Sequence, residues 1–146
     1  MNKELITYLI YECEDLQELK KQIKTIEDEE TLFAYMNNYN WDDGFEIPSI
    51  ALKNKHCKLA TALKIFYDAG GGEALMEKSL MRGSDKWAKF IKSLYAQIVE
   101  NKYEQGVVGY SIPLSKLKIY RLGKIFSERE MILITDLEGN DAGIIV

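Results

Sequence analysis

Apolar residues recur every three or four positions through most of the first hundred residues, and this spacing is that of one buried face of a helix. Ile6, Leu9, Cys13, Leu16, Leu19, Ile23 and Ile26 share one such stripe. It predicts either one amphipathic helix or two that meet near Glu14 and Asp15. The acidic run Glu27, Asp28, Glu29 and Glu30 then precedes Leu32, Phe33, Tyr35, Met36 and Tyr39. Acids in a first turn favour the positive end of the helix dipole, so this run predicts the start of a further helix. Residues 40–47 break the period with Asn40, Asp42, Asp43 and Gly44, all turn formers, and Pro48 fits the first position of the next helix.

Leu59, Ala62, Leu63, Phe66 and Tyr67 resume the helical spacing until Gly70, Gly71 and Gly72, which read as a helix stop and turn. A short helix over Glu73–Met81 is expected next. Ser84 can cap the one after it, whose stripe of Trp87, Phe90, Ile91, Leu94, Tyr95 and Ile98 is the clearest periodic signal in the chain. After Gln105 the pattern changes. Residues 106–112 and 117–122 are rich in β-branched and aromatic side chains, and 131–136 and 142–146 flank the turn-rich Leu137–Asp141, which fits a hairpin. The chain is therefore expected to be α+β and mostly α. The expectation is a bundle of about five or six helices over residues 1–104, followed over 105–146 by a small C-terminal antiparallel sheet of about three or four strands. The whole of 1–146 is read as a single domain, because no Pro-, Gly- or Ser-rich linker separates the two parts.

Composition adds little to this picture, but charge adds more. The 146 residues carry 19 basic and 23 acidic side chains, a net charge of −4. Residues 1–47 hold 4 lysines and 12 acids, whereas 48–124 hold 14 bases and 6 acids. The overall deficit of positive charge makes nucleic acid an unexpected partner, since phosphate contacts need a basic excess. Lys86, Lys89, Lys92, Lys102, Lys116, Lys118, Arg121 and Lys124 do interleave with Tyr103, Tyr110 and Tyr120, a combination that can hold single strands. Those tyrosines fall at positions already assigned to packing. No signal-peptide pattern and no run of about 18 apolar residues is present, so no membrane association is expected and the expected location is the cytoplasm.

Candidate chemistry is sparse. Asp42, Asp43 and Glu46 bracket Gly44, and three carboxylates on a turn could bind a hard cation or act as an acid/base pair. Their spacing does not match a calcium loop. Cys13 and Cys57 are the only cysteines and read as buried thiols, and His56 is the only histidine. Neighbouring side chains on a helix do not meet, which argues against a His56–Cys57 nucleophile pair. The triple glycine follows a helix and lacks a Lys-Ser/Thr pair, so phosphate-loop mechanics are absent. No cofactor and no metal site is expected.

Tyr39-Asn40-Trp41-Asp42-Asp43-Gly44-Phe45-Glu46-Ile47-Pro48, then Cys57-Lys58-Leu59-Ala60-Thr61-Ala62-Leu63 and Phe66-Tyr67-Asp68-Ala69, give the chain a more specific likeness. It resembles an uncharacterised bacterial domain family with the motif Tyr-Asn-Trp-Asp-Asp-Gly-Phe-x-x-Pro. That family continues with a Cys-x-Leu-x-Thr-Ala-Leu helix ending in Phe-Tyr-x-Ala. Here Lys58 stands where an acid is frequent and Ala60 replaces a common glycine. The resemblance implies a small bacterial cytosolic protein and brings no activity with it.

The expected role is a protein–protein interaction module, of the immunity type that binds and neutralises a bacterial toxin. Glu27, Asp28, Glu29, Glu30, Asp42 and Asp43 are its expected partner-binding residues, facing a basic cognate toxin that their charge would steer. The alternative is a small metal- or carboxylate-dependent hydrolase built on Asp42, Asp43 and Glu46.

Overall fold

A computed structural model describes residues 1–146. The stripe from Leu5 to Ile26 divides into α1 (Lys3–Tyr11) and α2 (Leu16–Lys24), because Asp15 accepts from the Gln17 amide at 2.9 Å and starts a second helix there. Asp28 likewise caps α3 (Glu29–Asn37), accepting from the Thr31 amide at 2.9 Å. A 3-10 turn at Trp41–Asp43 leads into α4 (Glu46–Lys53), which begins two residues before Pro48 and keeps that proline in its first turn, where no amide is needed. The chain continues as α5 (Leu59–Asp68), α6 (Gly71–Met76), a 3-10 segment at Lys78–Arg82, and α7 (Lys86–Val99). Asp85, not Ser84, caps α7 through the Ala88 amide at 2.8 Å.

The helix expected over Glu73–Met81 thus splits in two and starts earlier. Gly70 stops α5 in the left-handed region, at φ 98°. Gly71 then opens α6 so close to α5 that a Cβ there would run into the Phe66 ring, and the Trp87 indole covers Gly70 and donates to the Ala69 carbonyl at 2.7 Å. Two of the three glycines therefore serve close packing as well as the turn.

The core runs through α3, α5 and α7. Leu32, Tyr35 and Met36 meet Leu63, Ile65 and Phe66, and Ile91, Leu94 and Ile98 close the far side, all at 2% exposure or less. Each such side chain contributes about 1.5–3 kcal/mol by leaving water. Helix α1 packs on α3 and α2 packs on α4. Asn54, itself buried, ties the α2 end to α4 by donating to the carbonyls of Ile23 at 2.9 Å and Ile26 at 3.0 Å.

The expected C-terminal sheet is absent, and the protein is helical with no strand. Residues 117–122 belong to α8 (Lys116–Ile125), and the stretch expected as a strand at 131–136 is mostly a 3-10 segment, Arg129–Ile134. Ile119 and Leu122 are spaced by three and face inward, and Ser115 caps the helix through the Lys118 amide at 3.2 Å. That local pattern outweighs the β-propensity of Ile119 and Tyr120. Residues 106–112 and 137–146 pair only through the isolated bridges Val108–Asn140 and Tyr110–Leu137. Other backbone groups there find side chains instead of a neighbouring strand: Glu29, Asn37 and Asn38 from the helical part, and Asp136 and Asp141 from the arm itself. No helix is long and apolar enough to cross a membrane.

Candidate functional site

The turn from Tyr39 to Ile47 carries both aromatic anchors and exposed carboxylates. Asn40 accepts from the Asp42 amide at 3.0 Å, the Asp43 amide donates to the Asn40 carbonyl at 3.0 Å, and the Tyr39 hydroxyl donates to the Gly44 carbonyl at 2.7 Å. Aromatic contacts pin the turn from within. The Tyr39 and Trp41 rings meet edge to face at 5.2 Å, and Phe45 stacks on Phe90 of α7 at 4.8 Å. With its backbone bonded and its rings inside, the turn leaves Asp42 and Asp43 pointing into solvent.

This turn is a ridge between two depressions. On one side α1 and α2 complete a cleft of about 350 Å³ that is lined by Leu9, Leu16, Leu19, Tyr35 and Ile47, with Asp43 and Glu46 at its edge. On the other, a wide groove of about 760 Å³ runs between the turn and α7, where Lys86 and Lys89 face Asp43 and Glu46. Glu46 is ion-paired with Lys20 of α2. Asp42, Asp43 and Glu46 form no group with the convergence a metal ion needs. Burial pushes the Tyr39 hydroxyl up, with the nearby Asp43 and Glu46 charges adding to it, to about 12. The Tyr35 hydroxyl is also pushed up, by burial first and then by Tyr39 and Asp43.

The other expected partner-binding residues lie at the opposite end of α3, a helix of nine residues and therefore about 13 Å long. Glu27 is exposed, Asp28 is exposed but capping α3, and Glu30 is half-buried. Glu29 turns inward. Its carboxylate is buried and accepts from the amides of Val107 at 2.9 Å and Val108 at 3.2 Å, and Gly106 allows this because a Cβ there would run into both carboxylate oxygens. The six residues therefore do not form one patch: Glu27 and Asp28 are at one end of α3, Asp42 and Asp43 beyond the other, and Glu29 is a structural hook.

The fold gives the Cys-His idea no geometry. Cys57 is buried, its thiol pushed up to about 12 mainly by burial, with the Glu29 charge adding to it. His56 is half-buried beside it, and the backbone amide of His56 is taken by the Asn54 side chain at 2.8 Å. Lys86, Lys89 and Lys92 are exposed on α7, and Lys116, Lys118, Arg121 and Lys124 on α8, so the basic centre divides between two helices.

Sequence reasoning did not anticipate the cleft wall formed by α1, α2 and the link between them: Leu9, Ile10, Cys13, Leu16 and Leu19. All but Ile10 read as part of a buried stripe. The exposure of Leu16, 48%, marks where that stripe runs out of core to cover. No curated protein matches the chain, and no solved structure does. A family model, however, covers residues 27–99, from the acidic run before α3 to the last residue of α7, and so includes the ridge and the α7 wall of the groove. The chain belongs to the family described as a domain of unknown function, DUF4274, which accounts for half of its length.

Proposed function

We propose that this protein is a protein–protein interaction module of the immunity type, a bacterial cytoplasmic single-domain protein that binds a basic toxin and blocks it. The Tyr39–Pro48 motif is, on this reading, the family's signature and the centre of the contact surface. One observation carries it: of the 12 acidic side chains among residues 1–47, Glu46 alone is in an ion pair. The acids of the N-terminal third are thus almost all without an ion pair, and an excess of such negative charge accelerates encounter with a cationic surface. The aromatic pinning of the turn holds Asp42 and Asp43 in place before a partner arrives, which lowers the ordering cost of binding.

The test is co-expression with the product of the adjacent open reading frame, followed by size-exclusion chromatography and measured association rates. A stable complex is expected. Reversal of Asp42 and Asp43 to lysine is expected to slow association about tenfold at low salt while leaving the fold intact, because both side chains are exposed. Absence of a complex, or an association rate indifferent to the reversal, would overturn the proposal.

A further inference from the structure

We propose that the cleft between α1–α2 and the Asp43–Glu46 turn is an anchor pocket for one cation on a hydrocarbon stem, the side chain of an arginine or lysine presented by a basic protein partner. The inference rests on the interaction-module reading and names what that module would grip.

Three features define the occupant. The first is shape and polarity: about 350 Å³ lies near the lower end of small-ligand cavities, and eight of its twelve lining residues are hydrophobic. Leu9, Ile10, Leu19 and Ile47 offer nothing that a polar stem could bond, whereas a run of methylenes covers them. The second is charge at the mouth. Asp43 accepts no hydrogen bond through its carboxylate and has no ion pair. The facing wall, with Cys13, Leu16 and Leu19, carries no charged side chain. Lys20 answers Glu46. The cleft lining therefore holds one unpaired carboxylate, Asp43, and no cation of its own, Lys86 and Lys89 lying across the ridge in the other groove.

The third feature is reach. The negative field extends into the pocket, since the Asp43 and Glu46 charges, after burial, raise the Tyr39 hydroxyl. An anionic guest meets repulsion there, and a neutral one leaves Asp43 without a partner. A guanidinium or ammonium at the mouth pairs with Asp43 while its stem dries the floor.

The pocket can be tested without the toxin. The full chain, followed by two-dimensional amide NMR, is titrated with n-butylguanidinium, and with pentan-1-ol and pentanoate as neutral and anionic comparators. Saturable shifts are expected for the cation on both walls, at Cys13 and Leu16 and at Tyr39–Asp43. Asp43→Asn is expected to weaken binding about three- to fivefold. This variant should fold, because Asp43 is exposed and its side chain bonds nothing. Glu27→Gln, at the far end of α3, is expected to change nothing. Equal binding of pentanol or pentanoate, shifts confined to one wall, or indifference to Asp43→Asn would overturn the pocket. Probe binding without a toxin complex would sink the module reading alone. A complex that forms equally well with Asp43→Asn, in a chain that ignores the probe, would sink the pocket alone.

Discussion

The α3–α5–α7 core and the C-terminal arm, residues 105–146, are held by different forces. In the core, large apolar side chains interlock, and the backbone bonds itself within each helix. The arm contributes plugs to that core, Ile112, Leu122, Leu133 and Ile134, and its Val108 and Ala142 close a smaller cluster with Phe33 and Ala60, but outside α8 and a few internal backbone bonds it is fastened by side chains reaching across from the rest of the chain. Glu29 holds the amides of Val107 and Val108, and the Tyr67 hydroxyl donates to the Leu133 carbonyl at 2.6 Å. Asn37 and Asn38 donate to the Ile144 carbonyl at 2.9 and 2.8 Å, and Asn38 accepts from the Val146 amide at 3.0 Å. Within the arm, Asp136 accepts from the Ile112 amide at 2.8 Å. Removing a plug costs hydration and cavity energy, whereas removing a hook leaves a buried donor or acceptor without a partner. The two regions should therefore fail differently.

The sharpest separation comes from Phe66→Ala, which is expected to cost about 3–5 kcal/mol in chemical denaturation and to lower protection of every helix amide together. Glu29→Ala follows, at about 2–3 kcal/mol, with hydrogen exchange rising at Val107 and Val108 while the α7 amides stay protected. Loss of α7 protection in that variant would show that the arm and the core are one cooperative unit and would erase the distinction.

A third prediction uses acid. Burial tends to raise the Glu130 carboxyl, but hydrogen bonds from Lys78, Tyr95 and Ser127 overcome this and hold it at about 2, below its ordinary 4.5. A depressed carboxyl contributes stability that is fully present above about 4.5 and is lost as the pH falls toward about 2. Glu130→Gln should therefore be less stable than the wild type at neutral pH, and the gap should close across that window. A gap that persists at pH 2 would mean that Glu130 acts by packing alone. The smallest effect is expected for Tyr11→Phe, which removes a hydroxyl donating to the Val146 carbonyl at an exposed site, for about 0.5 kcal/mol or less.

The same contrast explains what the sequence made legible. The α7 stripe and the start of α3 in the acidic run follow from signals confined to a few neighbouring residues and were legible, whereas the spacing alone left one helix or two open before Asp15 capped the second. The arm defeats such reasoning because its backbone partners are remote. Glu29 and Val107 are 78 positions apart, and nothing near either reveals the other. Glu29 sits in an acidic run that looks uniformly solvated, so its inward turn is invisible until Gly106 arrives beside it. Residues 117–122 are a different case, since Ser115 and the Ile119–Leu122 spacing were local helix signals that the β-rich composition around them obscured. As for the site, the exposed turn at Asp42 and Asp43 was legible from its turn formers, and the cleft beside it was not. A stripe that lines a core and one that lines a cavity have the same period.

The two thiols of the chain are chemically unequal. Cys57 is enclosed and its thiol is raised by burial, whereas Cys13 is only partly covered and lies in the wall of the cleft. A thiol-directed label should therefore enter at one position without mutagenesis, and that position is within the pocket where a bound side chain would displace it or dim its signal. The wild-type molecule thus comes with a built-in attachment point for a spin label or fluorophore, a reporter of occupancy located where the question is asked.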